Sequence, residues 1–399
     1  MDDRKDTPML YFGEFHDKIN IFNLVICPSA FPDILQQISL KINVHKHGLE
    51  FTNGQSKFAI LFKDLTIQPL SAQTVKIVNE NEVHFRLEVS PPGPSTFEEQ
   101  FSQGELVPKP DKVLNIQCKE CLSEITRCDR KFSRVLELPS ENWQEYLDNW
   151  CCHGNEAITK LKDGLNPQEN YCFFGNWYIL VHPKALDVQN IKVSMREESC
   201  QILCKRCQAM LGRLNFSASG DNSAKFLCKD VNNSSSVELN KHSITLYNGS
   251  SRNIFKNLGE ETFLAANFIS LTKTRMCHKF IVNKTSSEKN NSTVVLIWVL
   301  NTETKFISSL CQRESSEENI GFPSIFRAVK VLYKTHLEYD FKTIKDEWYC
   351  SSLTDIITFP EEISLKLLLC LTQNNKTQPP SLRTANSFNV SFLKLKQAQ

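Results

Sequence analysis

Two short cysteine pairs carry the clearest chemical signal in this sequence of 399 residues. Two residues separate Cys118 from Cys121, and two separate Cys204 from Cys207. This spacing lets one tight turn direct both sulfurs at a single point. Two such turns supply the four thiolates that a structural Zn²⁺ prefers, with Zn–S distances of about 2.3 Å. The sequence therefore predicts one structural zinc per chain. Four thiolates leave no open position for water, so a catalytic zinc is not expected here.

The distance between the pairs indicates what such a metal has to hold together. The 82 residues between Cys121 and Cys204 exceed the length of a compact zinc ribbon. A whole sub-domain is therefore expected to fold between the two turns and to be stapled at its base. Two alternatives stay open. The pairs are ordinary buried or redox-active cysteines, or Cys128 or Cys200 replaces one of the four ligands.

A second group of reactive side chains surrounds two adjacent cysteines. Ser140 is a good N-cap for a helix that extends to Trp150. This helix would end at Cys151 and Cys152, which are followed by His153. A cysteine at such a chain turn can point outward as an isolated thiol and coordinate the metal ion of a partner protein. The alternatives are that these are core residues, or that Cys151 and His153 complete a second zinc site.

Composition excludes some partners and suggests a compartment. There are 46 Lys and Arg against 45 Asp and Glu, a net charge of +1, so no global field attracts nucleic acid or an anionic membrane. Neither a direct nucleic-acid partner nor a membrane is expected.

The polar N-terminus is unlike a signal peptide, and the strongest apolar run has seven residues against the roughly 20 that span a bilayer. A cytoplasmic and nuclear protein with mostly reduced thiols is expected.

The elements that must position these residues suggest an α+β protein with three domains. Short apolar runs between polar breaks predict a β-rich N-terminal domain over residues 1–95. The zinc-stapled, cysteine-rich domain covers residues 114–214, and a mixed α/β C-terminal domain covers residues 252–399. The polar stretch 217–251 is predicted to be a flexible loop or an inter-domain connection. Helices are predicted over 261–271 and 361–371, and strands over 276–282, 293–300, 328–333 and 387–395.

Five segments together resemble one known family. They are Leu138-Pro-Ser-Glu-Asn-Trp143, Trp150-Cys-Cys-His153, Asn166-Pro-Gln-Glu-Asn170, Cys204-Lys-Arg-Cys-Gln-Ala-Met-Leu-Gly212 and Pro380-Ser-Leu-Arg-Thr-Ala-Asn-Ser-Phe388. This combination resembles the HECT-like ubiquitin-protein ligases, whose animal members are also named as binding proteins of the cyclin-selective ubiquitin-conjugating enzyme. The likeness runs from about Cys118 to the C-terminus, so the C-terminal domain is expected to be HECT-like.

The resemblance implies two activities. One is to accept ubiquitin from a conjugating enzyme as a thioester and to pass it to lysines of substrates such as cyclin B. The other is to bind the zinc endonuclease of the pre-mRNA cleavage and polyadenylation machinery, where the cysteine matching Cys152 is expected to reach the nuclease zinc and block its active site. The partner-binding motif would comprise Leu138, Pro139, Ser140, Glu141, Asn142, Trp143, Trp150, Cys151 and His153.

The thioester route needs a nucleophilic cysteine in the C-terminal part. Ser364 stands where the resemblance would place it, and a serine cannot replace the thiol because an oxyester is not poised for transfer. Cys370, six residues later, is the candidate catalytic residue. Its alternative is a buried core position, because Leu367 and Leu371 lie on the apolar side of the same predicted helix. The residues alone favour the nuclease inhibitor, whereas the family favours the ligase.

Overall fold

The computed structural model describes sixteen stretches of the chain. They are residues 10–27, 41–53, 56–62, 65–71, 75–78, 82–90, 114–127, 132–138, 166–175, 178–196, 199–215, 236–248, 259–284, 292–312, 323–359 and 361–397. The chain divides into two compact units. The first unit combines residues 1–95 with 260–399, and the second unit comprises residues 96–259.

The described residues are rich in strands and contain few helices. The strands are β1 (Leu10–His16), β2 (Ile21–Cys27), β3 (Lys41–His45), β4 (Gly48–Asn53), β5 (Ser56–Leu61), β6 (Thr66–Ile67), β7 (Val75–Val78), β8 (Glu82–Ser90), β9 (Leu114–Cys118), β10 (Arg134–Glu137), β11 (Tyr171–Phe174), β12 (Tyr178–Val181), β13 (Ile191–Arg196), β14 (Ser199–Cys204), β15 (Met210–Asn215), β16 (Ser236–Asn240), β17 (Ile244–Asn248), β18 (Lys279–Lys284), β19 (Ser292–Ser308), β20 (Phe326–Thr335), β21 (Thr354–Phe359), β22 (Thr384–Ala385) and β23 (Phe388–Gln397). The helices are α1 (Glu260–Arg275), α2 (Ser309–Gln312), α3 (Phe341–Tyr349) and α4 (Glu361–Lys376).

A long central strand organises the first unit. Strand β19 has 17 residues and pairs along most of its length with β20. Along its other edge it pairs first with β18 and then with β1. The sheet therefore runs in the order β22-β23-β20-β19-β1-β2-β8-β6, with β18 joined to β19, β21 joined to β18, and β7 joined to β8. The apolar run that begins at Val294 forms the buried first half of this strand, as expected for a strand covered on both faces.

The pairing of β1 with β19 joins the N-terminal and C-terminal parts of the chain. Phe12 lies opposite Ser308, and its ring lies 5.6 Å from that of Phe306 and 5.4 Å from that of Phe392. This differs from the prediction of separate domains over 1–95 and 252–399, because the two regions share one sheet and one core. Hydrophobic patterning identifies each strand locally and contains no information on a partner almost 300 residues away.

The described residues of the first unit form two apolar cores. One joins β1, β2 and β8 to the separate sheet β3-β4-β5. The other lies beside β19, β20 and β23 and includes Trp348 of α3, whose ring stacks on Phe388. Helices α1 and α4 pack against β23, where Asn374 Nδ2 donates to Phe392 O at 2.7 Å and Ser391 Oγ donates to Leu371 O at 3.0 Å.

The described part of the second unit contains two sheets. Seven strands run in the order β10-β11-β12-β16-β15-β14-β13, and β9 pairs with β17 in a separate two-stranded sheet. Strands β15 and β16 approach each other very closely at Gly212. A Cβ atom added there would lie 1.8 Å from Glu238 O, so only glycine fits without a backbone shift.

The structure confirms the α+β class and most of the predicted elements of the C-terminal part. The prediction of a loop over 217–251 is wrong where β16 and β17 form. The residues Val237, Leu239, Ile244 and Leu246 are all fully buried. The preceding Asn and Ser cluster gave this stretch a polar composition and obscured the alternation of these apolar residues. Among the described helices, none combines the length and the hydropathy needed to span a bilayer.

Candidate metal centre

Each predicted cysteine pair lies on a tight turn at the end of a strand. The first turn, called the first knuckle, comprises residues 118–123 and follows β9. Its Leu122 N–H donates to Cys118 O at 2.9 Å, and Cys118 N–H donates to Ser123 O at 2.8 Å. Leu122 has a positive φ of 58°, which turns the chain back. These bonds fix the backbone that carries Cys118 and Cys121.

The second knuckle, residues 204–209 after β14, has the same backbone. Gln208 N–H donates to Cys204 O at 2.9 Å, and Cys204 N–H donates to Ala209 O at 2.8 Å. Gln208 takes a positive φ of 62° at the position equivalent to Leu122. The two knuckles are therefore structural repeats, although the sequence has no obvious internal repeat.

A further strand supports each knuckle in the same way. Ile244 of β17 pairs with Cys118, and Lys119 N–H donates to Ser243 O just before that strand at 3.0 Å. Ile191 of β13 likewise pairs with Cys204. Lys205 N–H donates to Asn190 O at 2.9 Å. The sequence reasoning missed these supports. Asp187, which bonds the side chain of Asn190 at 3.0 Å, gave a turn signal in the second case.

The two knuckles bring the four sulfurs together. Cys118 Sγ lies 3.5 Å from Cys207 Sγ, and Cys121 Sγ lies 3.5 Å from Cys204 Sγ. All four sulfurs lie within 4.8 Å of one another. A disulfide bond is about 2.05 Å long, whereas the edge of an S₄ tetrahedron around zinc is about 3.8 Å for 2.3 Å bonds. The sulfurs thus have the separation of metal ligands rather than of disulfides.

The burial of the four thiols differs within each knuckle. Cys118 and Cys204 are fully buried, Cys121 is half-buried and Cys207 is exposed. Burial raises the pKa of Cys118 to about 12. Burial also acts to raise the pKa of Cys121, but hydrogen bonds from Ser123 N–H and the neighbouring thiols outweigh it and lower that pKa. A metal ion compensates the charge of such thiolates, and its binding releases their protons.

These residues can hold a metal ion. The donor set of four sulfurs is one that zinc accepts, and its ligands come in pairs from two rigid turns. Arg206 Nη1 donates to Cys121 O at 3.4 Å, and Lys119 and Lys205 directly follow the first cysteine of each knuckle. The Arg206 guanidinium, which contacts the first knuckle, would offset part of the negative charge of a four-thiolate complex. Cys200, a possible substitute ligand, instead forms a disulfide bond, which departs from the expectation of reduced thiols.

Most of the predicted partner-binding motif lies outside the described residues. This applies to Pro139, Ser140, Glu141, Asn142, Trp143, Trp150, Cys151, Cys152 and His153. The role of Cys152 therefore stays a prediction. Leu138 is described: it is half-buried after β10, and its N–H donates to Phe174 O at 2.8 Å. On the far side of the motif, Asn170 O accepts from Ser133 N–H at 2.8 Å. Both flanks are thus held by the sheet of the second unit.

The predicted catalytic thiol lies in an unfavourable place. Cys370 is half-buried on α4, where burial, then Glu261 and then Glu260 raise its pKa to about 12. A thioester nucleophile needs the thiolate, which these carboxylates oppose. Ser364 is buried, and its Oγ has no hydrogen-bond partner among the residues that the structure describes. Among the described residues of the first unit, the exposed cysteine is Cys350, just after α3.

Comparison with known proteins identifies the class. The family model of HECT-like ubiquitin-conjugating enzyme (E2)-binding proteins matches residues 14–390, and the chain belongs to this family. The chain is similar to proteins named E3 ubiquitin-protein ligase E3D. It is 31% identical to that of Mus musculus over 82% of this chain and 83% of the relative. It is 28% identical to that of Homo sapiens over 83% of this chain and 85% of the relative. No solved structure matches the chain. The resemblance in the motifs is thereby confirmed.

Proposed function

We propose that this protein recruits a charged ubiquitin-conjugating enzyme and promotes the transfer of ubiquitin to lysines of a substrate. The observation that carries the proposal is the match to an E2-binding family over residues 14–390. The name of the Mus musculus relative supports a ligase role. Cyclin B is the substrate that the resemblance implies. The four-cysteine cluster would serve as a zinc-bound staple that keeps the second unit folded.

The environment of Cys370 supports one of two routes of transfer over the other. In the route of HECT ligases, ubiquitin first forms a thioester on the ligase. The raised pKa of Cys370 and the burial of Ser364 both oppose that route. In the other route, the substrate lysine attacks the thioester carbonyl on the conjugating enzyme directly. An isopeptide bond forms, and the thiolate of the conjugating enzyme leaves. We favour this direct route for the present chain.

A discharge assay tests the proposal. Conjugating enzyme charged with ubiquitin is mixed with the protein and a lysine substrate, and its thioester is followed on non-reducing gels. We expect faster discharge in the presence of the protein, with no thiol-sensitive ubiquitin adduct on the protein itself. Cys370→Ala should act like wild type, with Cys350→Ala as the matched control. Unchanged discharge in the presence of wild-type protein would refute the ligase role. An adduct lost in Cys370→Ala would restore the covalent route.

A second candidate function is the inhibition of the zinc endonuclease of pre-mRNA 3′-end processing. This inhibition would take place in the nucleus, and a further pool of the protein would lie in the cytoplasm. The supporting observation is that Leu138 and Asn170, described residues on either side of the motif, are hydrogen-bonded within the second unit. Cys152→Ala and Cys350→Ala should be compared in a nuclease assay. Only the first should lose inhibition. Equal inhibition by both variants would remove the proposed coordination of the nuclease zinc by Cys152.

A further inference from the structure

We propose that the four-cysteine cluster is a redox-sensitive staple. Oxidation would expel the metal and replace it with two disulfide bonds between the knuckles, one joining Cys118 to Cys207 and the other joining Cys121 to Cys204. The inference rests on the metal site and not on ubiquitin transfer. Metal release and disulfide pairing measure it, so its failure is distinguishable from failure of the ligase proposal.

Two sulfur pairs between the knuckles lie close together. Each of the two sulfur pairs is 3.5 Å apart. A disulfide needs about 2.05 Å, so each pair has to close by only about 1.5 Å. The backbone bonds that shape the knuckles, such as Leu122 N–H to Cys118 O and Gln208 N–H to Cys204 O, involve no sulfur atom. These backbone bonds therefore do not have to break for the disulfide bonds to form.

Unequal exposure gives each pair an entry point. Cys207 is exposed and its partner Cys118 is fully buried. Cys121 is half-buried, while its partner Cys204 is fully buried. In each pair, an oxidant can therefore reach one sulfur, whereas the other sulfur is shielded from solvent. This is the arrangement of an attacked thiol beside a resolving thiol.

The chemistry balances with hydrogen peroxide as the two-electron oxidant. The Cys207 thiolate attacks one peroxide oxygen, the O–O bond breaks, and a sulfenic acid and hydroxide form. The Cys118 thiolate then attacks the sulfenyl sulfur, the S–O bond breaks, and a second hydroxide leaves as the disulfide forms. Two protons convert the hydroxides to water. The same steps at Cys121 and Cys204 consume a second peroxide, and the metal ion leaves without a redox change.

The full-length protein is treated with hydrogen peroxide to test this. A chromogenic chelator measures metal release, and mass spectrometry of alkylated, non-reduced peptides maps the disulfides. We expect one metal ion released for every two disulfide bonds formed in the cluster, with peptides cross-linked as Cys118–Cys207 and Cys121–Cys204. Reductant and added zinc should restore the starting state. Oxidation of the exposed Cys350 provides an internal reference for peroxide dose.

Variants separate the two pairs. Cys207→Ala should lose the first cross-link and keep the second, whereas Cys350→Ala should behave like wild type. If Cys207→Ala does not fold, the wild-type peptide map still decides. Disulfides within a knuckle, or full retention of the metal when Cys350 is already oxidised, would overturn the proposal. For protein isolated without metal, the same map tests the pairing directly.

Discussion

The cysteine cluster of the second unit and Cys370 of the first unit place the same side chain in opposite surroundings. In the cluster, two rigid turns gather four sulfurs within 4.8 Å, so that a cation can stabilise their charge. At Cys370, burial and two carboxylates destabilise the thiolate. The chemistry available to a cysteine therefore follows from its neighbours. The four sulfurs of the cluster could hold a metal ion, whereas the surroundings of Cys370 disfavour its thiolate.

The largest expected effect comes from removing one ligand of the cluster. Cys204→Ser should abolish stoichiometric metal binding and unfold the second unit, because structural zinc contributes about 10–16 kcal/mol in small zinc domains. Metal analysis and thermal unfolding measure this. Cys350→Ser, at an exposed position, should retain the metal and melt like wild type. A Cys204→Ser protein that retains one metal ion and unfolds at the wild-type temperature would contradict a structural role of the cluster.

A large effect is also expected from a change that touches no sulfur. Gly212→Ala places a Cβ 1.8 Å from Glu238 O, in the strand that follows the second knuckle. The required backbone shift should cost about 3 kcal/mol of unfolding free energy, at the upper end for overpacking. Gly259→Ala is the control, because an added Cβ there meets nothing within 4 Å. Urea unfolding compares the two, and equal midpoints would contradict the close approach of the strands.

The reactivity of Cys370 towards an alkylating reagent tests whether its thiolate is disfavoured. Its pKa is raised from 9.0 to about 12, so the labelling rate should keep rising with pH well above 9. An ordinary thiol reaches its plateau about one unit above its pKa of about 8.5. Glu260→Gln removes one opposing charge and should increase iodoacetamide labelling of Cys370 severalfold at pH 8, whereas labelling of Cys350 stays constant. A plateau for Cys370 near pH 9 would show that its thiolate is not disfavoured.

The smallest expected effect tests whether the two knuckles are equivalent. Leu122 and Gln208 have a positive φ, which costs a residue other than glycine about 1–2 kcal/mol of conformational free energy. Leu122→Gly and Gln208→Gly remove this cost. The greater freedom of glycine in the unfolded chain offsets up to about 1 kcal/mol of this. Each variant should therefore gain about 0.5 kcal/mol of unfolding free energy. Ser123→Gly, beside Leu122 but without a positive φ, should lose stability instead. A loss in all three would contradict the strain.

The sequence was most informative where spacing alone determines geometry. Cys-x-x-Cys pairs predicted the cluster because a turn of this length has few ways to aim two sulfurs. Apolar alternation likewise located most strands of the C-terminal part. The supports of the knuckles were not predictable in this way. Ser243 and Asn190 act through backbone carbonyls, so their side chains carry little trace of the role. The pairing of β1 with β19 depends on contacts between distant parts of the chain.

The pairing of strand β19 limits which fragments of this protein can fold. One edge of β19 pairs with β18 over its first half and with β1 near its end, so residues from the N-terminal part complete the hydrogen bonding of a strand near residue 300. A fragment confined to the C-terminal third would leave that edge open, and open edges recruit other chains into aggregates. Truncation mapping would thus report insolubility instead of activity. Single substitutions in the intact polypeptide are the sounder way to assign its roles.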